Sequence, residues 1–141
     1  MRILRRFAAF SPLERRLVIK AWFALAAVRI LLWIAPYRWI EARLLKPHTA
    51  RPGLRPADIA LAVTRASTLI PRATCLVQAV AGSWLISREG GDSVIRFGVA
   101  KDQDTSKFKA HAWLEHDGRI LIGGGTAAEY ATLVQARDGR R

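Results

Sequence analysis

Residues 74–79 read Thr-Cys-Leu-Val-Gln-Ala, and residues 108–115 read Phe-Lys-Ala-His-Ala-Trp-Leu-Glu. Cys75 is the only cysteine in the 141 residues, and His111 lies in the second of these segments. A lone cysteine cannot form an internal disulfide, whereas a nucleophile requires only one sulfur and one base. We therefore interpret Cys75 as a candidate nucleophile and His111 as its candidate general base.

The predicted positions of the two residues suit that chemistry. Pro71 ends one predicted helix and Thr74 can cap the next, so Cys75 lies at a helix start. Backbone N–H groups and the dipole at a helix N-terminus favour the thiolate, which is the attacking form, and can stabilise an oxyanion. His111 lies in a segment that reads as a strand, and Trp113 follows on the same face of that strand. Trp113 is therefore a candidate wall of the active site.

Local signals predict the order of helices and strands. Capping residues and hydrophobic periodicity predict helices at residues 12–35, 37–45, 57–70 and 75–88. Alternating apolar residues and an Asp-Gly turn predict strands at residues 93–99, 108–116 and 119–122. A short helix or turn is expected at about residues 127–134. Helices followed by an antiparallel meander indicate an α+β domain, with helices packed on one face of a small sheet.

A proline-rich stretch divides the chain. Three prolines and a glycine lie between residues 46 and 56, which is typical of a linker. We expect a basic, apolar helical arm at residues 1–50, a linker at 51–56 and a compact domain at 57–141.

The segment from Leu17 to Ile40 is apolar but interrupted by charge. Lys20, Arg29 and Arg38 limit its uncharged runs to eight residues, whereas a spanning helix requires about 20 mostly apolar residues. We interpret it as a buried or surface-lying helix, which leaves peripheral contact with the inner face of a membrane open.

The charge of the chain is strongly positive. Lys and Arg total 23 against 11 acidic residues, a net charge of +12. The excess is mostly arginine, without a run of five basic residues, a C-x-x-C pair or an RNP-type aromatic motif, so we predict no nucleic-acid partner and no metal site. One cysteine argues against a disulfide-stapled secreted domain and favours the cytoplasm.

The order of these segments resembles the lasso-peptide biosynthesis B protein, a family of transglutaminase-like, papain-like cysteine peptidases. Many transglutaminase-like domains share a His-Ala-Trp-Val-Glu type of strand, close to the segment at 111–115. The resemblance covers about residues 57–133 and rests on these segments: 74–79, Leu85, Gly90, 95–99, 108–115 and 121–124.

The resemblance implies a bacterial enzyme that removes the leader from a ribosomally made lasso precursor peptide. A separate ATP-dependent cyclase then closes the ring, so any ATP dependence would come through that partner and no cofactor would bind to this chain directly. Some family members carry a fused leader-recognition domain. Because the N-terminal region is helical and lacks a run of strands, we expect a separate leader-recognition protein here. The alternatives are a transglutaminase-like acyltransferase or peptidase with another substrate, and a non-catalytic adaptor of the same fold.

The third catalytic position departs from the family pattern. The resemblance implies a Cys-His-Asp triad, and a two-residue hairpin turn would place His111 opposite residue 124, so the acid belongs at 122–124. Ile122, Gly123 and Gly124 occupy those positions. Glu115 lies roughly 13 Å along the strand from His111, at ~3.3 Å per residue. The remaining candidates are Glu129, which we take as the tentative third member, Asp102, Asp104, and a backbone carbonyl of the glycine run.

Overall fold

The elements follow the capping and turn signals of the sequence. A computed structural model describes residues 9–46, 48, 53–101, 107–124 and 131–135. Within these residues four helices precede four strands: α1 Pro12–Ile34, α2 Tyr37–Leu44, α3 Pro56–Ser67, α4 Cys75–Arg88, β1 Val94–Lys101, β2 Phe108–His116, β3 Arg119–Ile122 and β4 Ala131–Gln135. The four predicted helices and three predicted strands are confirmed, with ends within a few residues of the predicted bounds.

Helix α1 begins at a complete N-terminal cap. The backbone N–H of Glu14 donates to Ser11 Oγ at 3.3 Å, and that of Ser11 donates to Glu14 Oε2 at 2.8 Å. The second of these bonds holds the pKa of Glu14 below its usual value, since it favours the charged carboxylate. Pro12 needs no hydrogen bond at the first helical position, and the helix ends before Pro36.

The sheet has the strand order β3-β2-β1-β4, and each neighbouring pair is antiparallel. The predicted hairpin between β2 and β3 is confirmed, because Asp117 and Gly118 have φ angles of 48° and 73° and His116 pairs with Arg119. An irregularity between Leu114 and Glu115 then shifts the register by one residue, so that Leu114 pairs with Ile122. The predicted pairing of His111 with residue 124 assumed a constant register between β2 and β3. The observed register shift shows that this assumption is wrong.

The prediction of a short helix or turn at residues 127–134 is also wrong over its last part. Residues 131–135 form strand β4, which pairs with β1 through Phe97 and Val134. A short apolar run is compatible with either state by periodicity alone. The unpaired edge of β1, which the local sequence does not reveal, decides the conformation.

Helix α4 packs on the sheet through a close approach at Gly82. A Cβ atom on Gly82 would lie 2.7 Å from Ile122 Cδ1 and 2.9 Å from Leu114 Cδ2. Helix α3 contacts β3, and α1 packs on α3 and α4. The predicted α+β class, with helices packed on a small antiparallel sheet, is confirmed.

The inner side of α1 belongs to the same hydrophobic core as the rest of the domain. The core also holds residues of α3, α4 and the sheet, such as Val63, Val80 and Leu114. The core therefore includes residues on both sides of the predicted linker at 51–56, and the domain boundaries themselves stay a prediction. The buried residues of α1 are Leu17, Val18, Ala21, Ala24, Leu25 and Val28.

Leu25→Ala is expected to lower the free energy of unfolding by about 2–5 kcal/mol, because it leaves a cavity at a fully buried position. Chemical denaturation followed by circular dichroism measures the change. Leu13→Ala is the matched control on the same helix, since Leu13 is 58% exposed and its loss should cost less than about 0.5 kcal/mol. Equal losses in the two variants would contradict the packing of α1 on the core.

Candidate active site

Cys75 is the first residue of α4, as predicted. Thr74 is the N-cap, and its side chain accepts a hydrogen bond from the backbone N–H of Val77 at 3.4 Å. The Cys75 side chain is half-buried, and it is a free cysteine. The thiol therefore lies beside the unpaired N–H groups of a 14-residue helix, where negative charge is favoured.

Two side chains hold the loop that leads into Cys75. Arg29 of α1 donates a hydrogen bond to the carbonyl of Pro71. Gln78 Nε2 donates to the carbonyl of Ala73 at 2.9 Å. Between these two carbonyls Arg72 has a φ of 60°, which non-glycine residues rarely adopt. The two hydrogen bonds thus fix the backbone on either side of a strained residue.

The contact made by Arg29 was missed by the sequence analysis, which treated this residue only as a charge that interrupts an apolar helix. The sequence did contain a signal for this contact, because Arg29 is the single charge between two uncharged runs of eight residues, at 21–28 and 30–37. A single arginine in such a helix requires a partner when it is not fully exposed. Its partner, a carbonyl 42 residues away, depends on the packing of α1 against the start of α4.

Arg29→Met is expected to accelerate amide hydrogen exchange in residues 72–75 by about three- to tenfold. The physical reason is the loss of one hydrogen bond, worth ~0.5–1.5 kcal/mol, from the loop before Cys75. Exchange measured by mass spectrometry tests this, with Arg16→Met as the matched control, because Arg16 is an exposed arginine of the same helix. Unchanged exchange in Arg29→Met would show that the loop is held by other contacts.

His111 lies on β2, opposite Gly98 of β1. Its Nε2 atom is 2.9 Å from the carbonyl oxygen of Gly123. Because a carbonyl oxygen can only accept, Nε2 carries the hydrogen and donates it. In the neutral ring the basic lone pair is then on Nδ1, so this bond selects the tautomer and orients the ring.

Gly123 explains why no acidic side chain is found at the expected third position. Its φ is +82°, and a Cβ atom there would lie 3.1 Å from the Ala112 carbonyl oxygen, 3.1 Å from Trp113 Cβ and 3.3 Å from His111 Nε2. A side chain would therefore meet the imidazole and its strand. The glycine carbonyl, one of the predicted alternatives, bonds the imidazole Nε2. Asp102, Asp104 and Glu129 lie outside the described residues, and the role of Glu129 stays a prediction.

Trp113 is buried beside His111. The two rings have centroids 6.1 Å apart and an interplanar angle of 25°. The indole Nε1 of Trp113 donates to Glu115 at 2.9 Å, and Glu115 also forms an ion pair with Arg96. The Glu115 carboxylate is thus bonded to Trp113 and Arg96. Trp113 shields one side of the imidazole, as a wall of the site would.

Cys75 begins α4 and His111 is the fourth residue of β2, and α4 contacts β2. Ser83 in the second half of α4 bonds Ser93 at 2.9 Å, directly before the end of the sheet where Val94 pairs with Glu115. The C-terminal half of α4 therefore lies near the end of β2 that carries Glu115, and its N-terminus is directed away from that end. Within the described residues the Cys75 thiol makes no hydrogen bond. The structure thus joins His111 to Trp113 and Gly123, but does not join it to Cys75 by a hydrogen bond.

A metal ion has no evident place in this arrangement. The described residues contain no group of three or more His, Cys, Asp or Glu side chains placed to hold one. What the site offers is a thiol at a helix N-terminus and an oriented imidazole with a basic Nδ1. Such a pair suits acyl transfer through a covalent thioester.

Comparison with known proteins assigns the family. The family model described as the transglutaminase-like superfamily matches residues 21–135, which include Cys75, His111 and all four strands. No curated protein and no solved structure gives a significant match. Domains of this kind are commonly cysteine peptidases or acyltransferases. Because the match covers most of its length, the chain belongs to the transglutaminase-like superfamily.

Proposed function

We propose that this protein is a cysteine peptidase that removes the leader from a ribosomally synthesised lasso precursor peptide. The observation that carries the proposal is the position of Cys75 at the start of α4, inside a transglutaminase-like domain. The order of the segments around Cys75 and His111, which resembles the lasso-peptide B protein, supports the choice of substrate. Leader removal precedes ring closure by a separate ATP-dependent cyclase.

In the proposed mechanism the Cys75 sulfur attacks the carbonyl carbon at the end of the leader, and its proton passes to His111 Nδ1. The oxyanion of the tetrahedral intermediate is stabilised by N–H groups at the start of α4. Collapse breaks the peptide bond, and the imidazolium returns the proton to the departing amine of the core peptide. Water, deprotonated by His111, then hydrolyses the thioester and releases the leader as a carboxylate.

The supporting residues have distinct roles in this scheme. The Gly123 carbonyl keeps the proton on Nε2 and leaves Nδ1 as the base. Trp113 limits access of water to the thiolate–imidazolium pair, which strengthens their attraction. The thiol and imidazole approach one another when substrate binds, since catalytic hydrogen bonds are often loose in unliganded enzymes.

The proposal includes partners and a compartment. The leader is delivered by a separate leader-recognition protein, and the freed core passes to the cyclase in the cytoplasm. This chain binds no cofactor of its own, so leader release itself requires no nucleotide. ATP is consumed by the cyclase.

A cleavage assay read by mass spectrometry tests the proposal. The protein is incubated with a lasso precursor peptide and its leader-recognition protein, without cyclase or ATP, and the expected products are one intact leader and one intact core peptide. Leader joined to an added amine would instead indicate an acyltransferase, in which the amine replaces water in the second step. Absence of any product, also after cyclase and ATP are added, would favour the non-catalytic adaptor.

A further inference from the structure

Helix α1 presents a second apolar surface, on the side away from the core. We call it the outer face of α1, and large apolar side chains line it in two groups, at residues 19–23 and 30–34, over a length of about 22 Å at ~1.5 Å per residue. Trp33 and Ile34 are 83% and 75% exposed. Its members are Ile19, Trp22, Phe23, Ile30, Trp33 and Ile34.

The composition of α1 is that of a membrane helix, yet its packing is not. It is long and apolar enough to cross a membrane, with a mean hydropathy of 2.0, and it is the one such helix among the described residues. Its inner side, however, is part of the hydrophobic core of the domain. Spanning a bilayer would require that core to come apart, whereas lying along the surface of a bilayer would leave it intact.

Charge and aromatic residues are arranged at the two ends of the outer face. Arg15 and Arg16 are exposed near its beginning, and Arg38 and Arg43 are exposed just beyond its end. The Arg43 guanidinium lies over the exposed ring of Trp39, 5.8 Å from its centroid. Basic side chains and tryptophans that flank an apolar helix face are typical of helices that lie in the headgroup region of a bilayer.

Charge is sparse along the outer face. Residues 19–37 contain two charged side chains: Lys20 lies 3.6 Å from Glu89, and Arg29 is directed to the Pro71 carbonyl. A face meant for another protein usually mixes polar groups with apolar ones. A lipid surface requires no such groups within the apolar face and attracts the basic residues at its edges.

We propose that the outer face of α1 docks this protein on an anionic membrane surface, with α1 lying parallel to the bilayer. The six apolar side chains enter the boundary between headgroups and acyl chains, and the flanking arginines contact anionic headgroups. The net charge of +12 adds a long-range attraction to the same surface. The inference does not depend on the activity of Cys75.

Vesicle flotation tests the docking. The full-length protein should float with vesicles of phosphatidylglycerol and phosphatidylcholine but not with phosphatidylcholine alone. The double variant Trp33→Ser/Ile34→Ser should lower the partition coefficient by about tenfold or more, from the lost apolar contact. Arg15→Ser/Arg16→Ser should lower it by about fivefold per residue, and added salt should weaken binding.

Matched controls replace exposed apolar residues that lie elsewhere. Phe108→Ser on β2 and Leu61→Ser on α3 remove exposed side chains outside the outer face and should leave flotation unchanged. Brominated lipids provide a readout that needs no variant, because they should quench the tryptophan fluorescence of the wild-type protein in anionic vesicles. Circular dichroism verifies that each variant is folded.

Three results would overturn the proposal. The first is a wild-type protein that neither floats with anionic vesicles nor is quenched by brominated lipids. The second is an equal loss of flotation in the control variants. The third is a wild-type protein that does not bind vesicles and sediments as a dimer, together with a Trp33→Ser/Ile34→Ser variant that sediments as a monomer. The outer face of α1 would then bind a second copy of the chain.

Discussion

Cys75→Ala is expected to lower the rate of leader release by about 10⁴-fold or more. Removal of the nucleophile of a covalent mechanism eliminates the acyl-enzyme route and leaves only the contribution of binding and oxyanion stabilisation. The substitution changes one half-buried side chain at a helix start, so the fold should be retained. The rate is measured by mass spectrometry under single-turnover conditions, with circular dichroism to verify folding.

Cys75 is the only thiol in the chain, which provides a sharp control. Iodoacetamide should add a single adduct to the wild-type protein, abolish leader release in proportion to labelling, and add nothing to Cys75→Ala. His111→Ala should keep the thiol available for labelling but lose leader release, since it removes the base. Undiminished cleavage by Cys75→Ala would exclude the thiol mechanism.

Gly123→Ala is expected to lower leader release by about 10²-fold, a loss typical of a catalytic group displaced by ~1 Å. The added Cβ would lie 3.3 Å from His111 Nε2 and 3.1 Å from Trp113 Cβ, so the imidazole must shift or its bond to the Gly123 carbonyl must lengthen. The positive φ adds backbone strain, so we expect the free energy of unfolding to fall by about 1–3 kcal/mol.

Gly118→Ala is the matched control, because it adds backbone strain without displacing the imidazole. Gly118 also has a positive φ, +73°, but a Cβ atom there would meet nothing within 4 Å. This variant should lose about 1–2 kcal/mol of stability and keep its rate of leader release. If both variants lose stability and neither loses activity, the Gly123 carbonyl does not orient the catalytic base.

Elements marked by neighbouring residues were predictable from the sequence. The capping box of Ser11 and Glu14, the Thr74 cap and the Asp117-Gly118 turn each act over a few residues, so their geometry follows from local chemistry. Placement of Cys75 at a helix start therefore needed no knowledge of the fold. The prediction failed at β4, where a short apolar run is set by a strand partner distant in sequence.

The candidate site was predictable in its residues and only partly in its geometry. Residue types and their order were enough to select Cys75, His111 and Trp113. The one-residue register shift beside Leu114 and the positive φ of Gly123 belong to the pairing of β2 with β3 and its end, which local residue patterns do not reveal. These features place the Gly123 carbonyl against the imidazole.

The sequence by itself determined the candidate nucleophile, the candidate base, the α+β order of elements and the start of α4, because each depends on residue chemistry or on contacts between near neighbours. Tertiary structure alone decided three features: the strand at residues 131–135, the pairing of His111 with the Gly123 carbonyl, and the contact of Arg29 with the loop before Cys75. Each joins residues that are far apart in the chain, or depends on the exact register of a sheet. Such contacts form only when the whole core packs, since their entropic cost is met by the burial of the surrounding apolar surface.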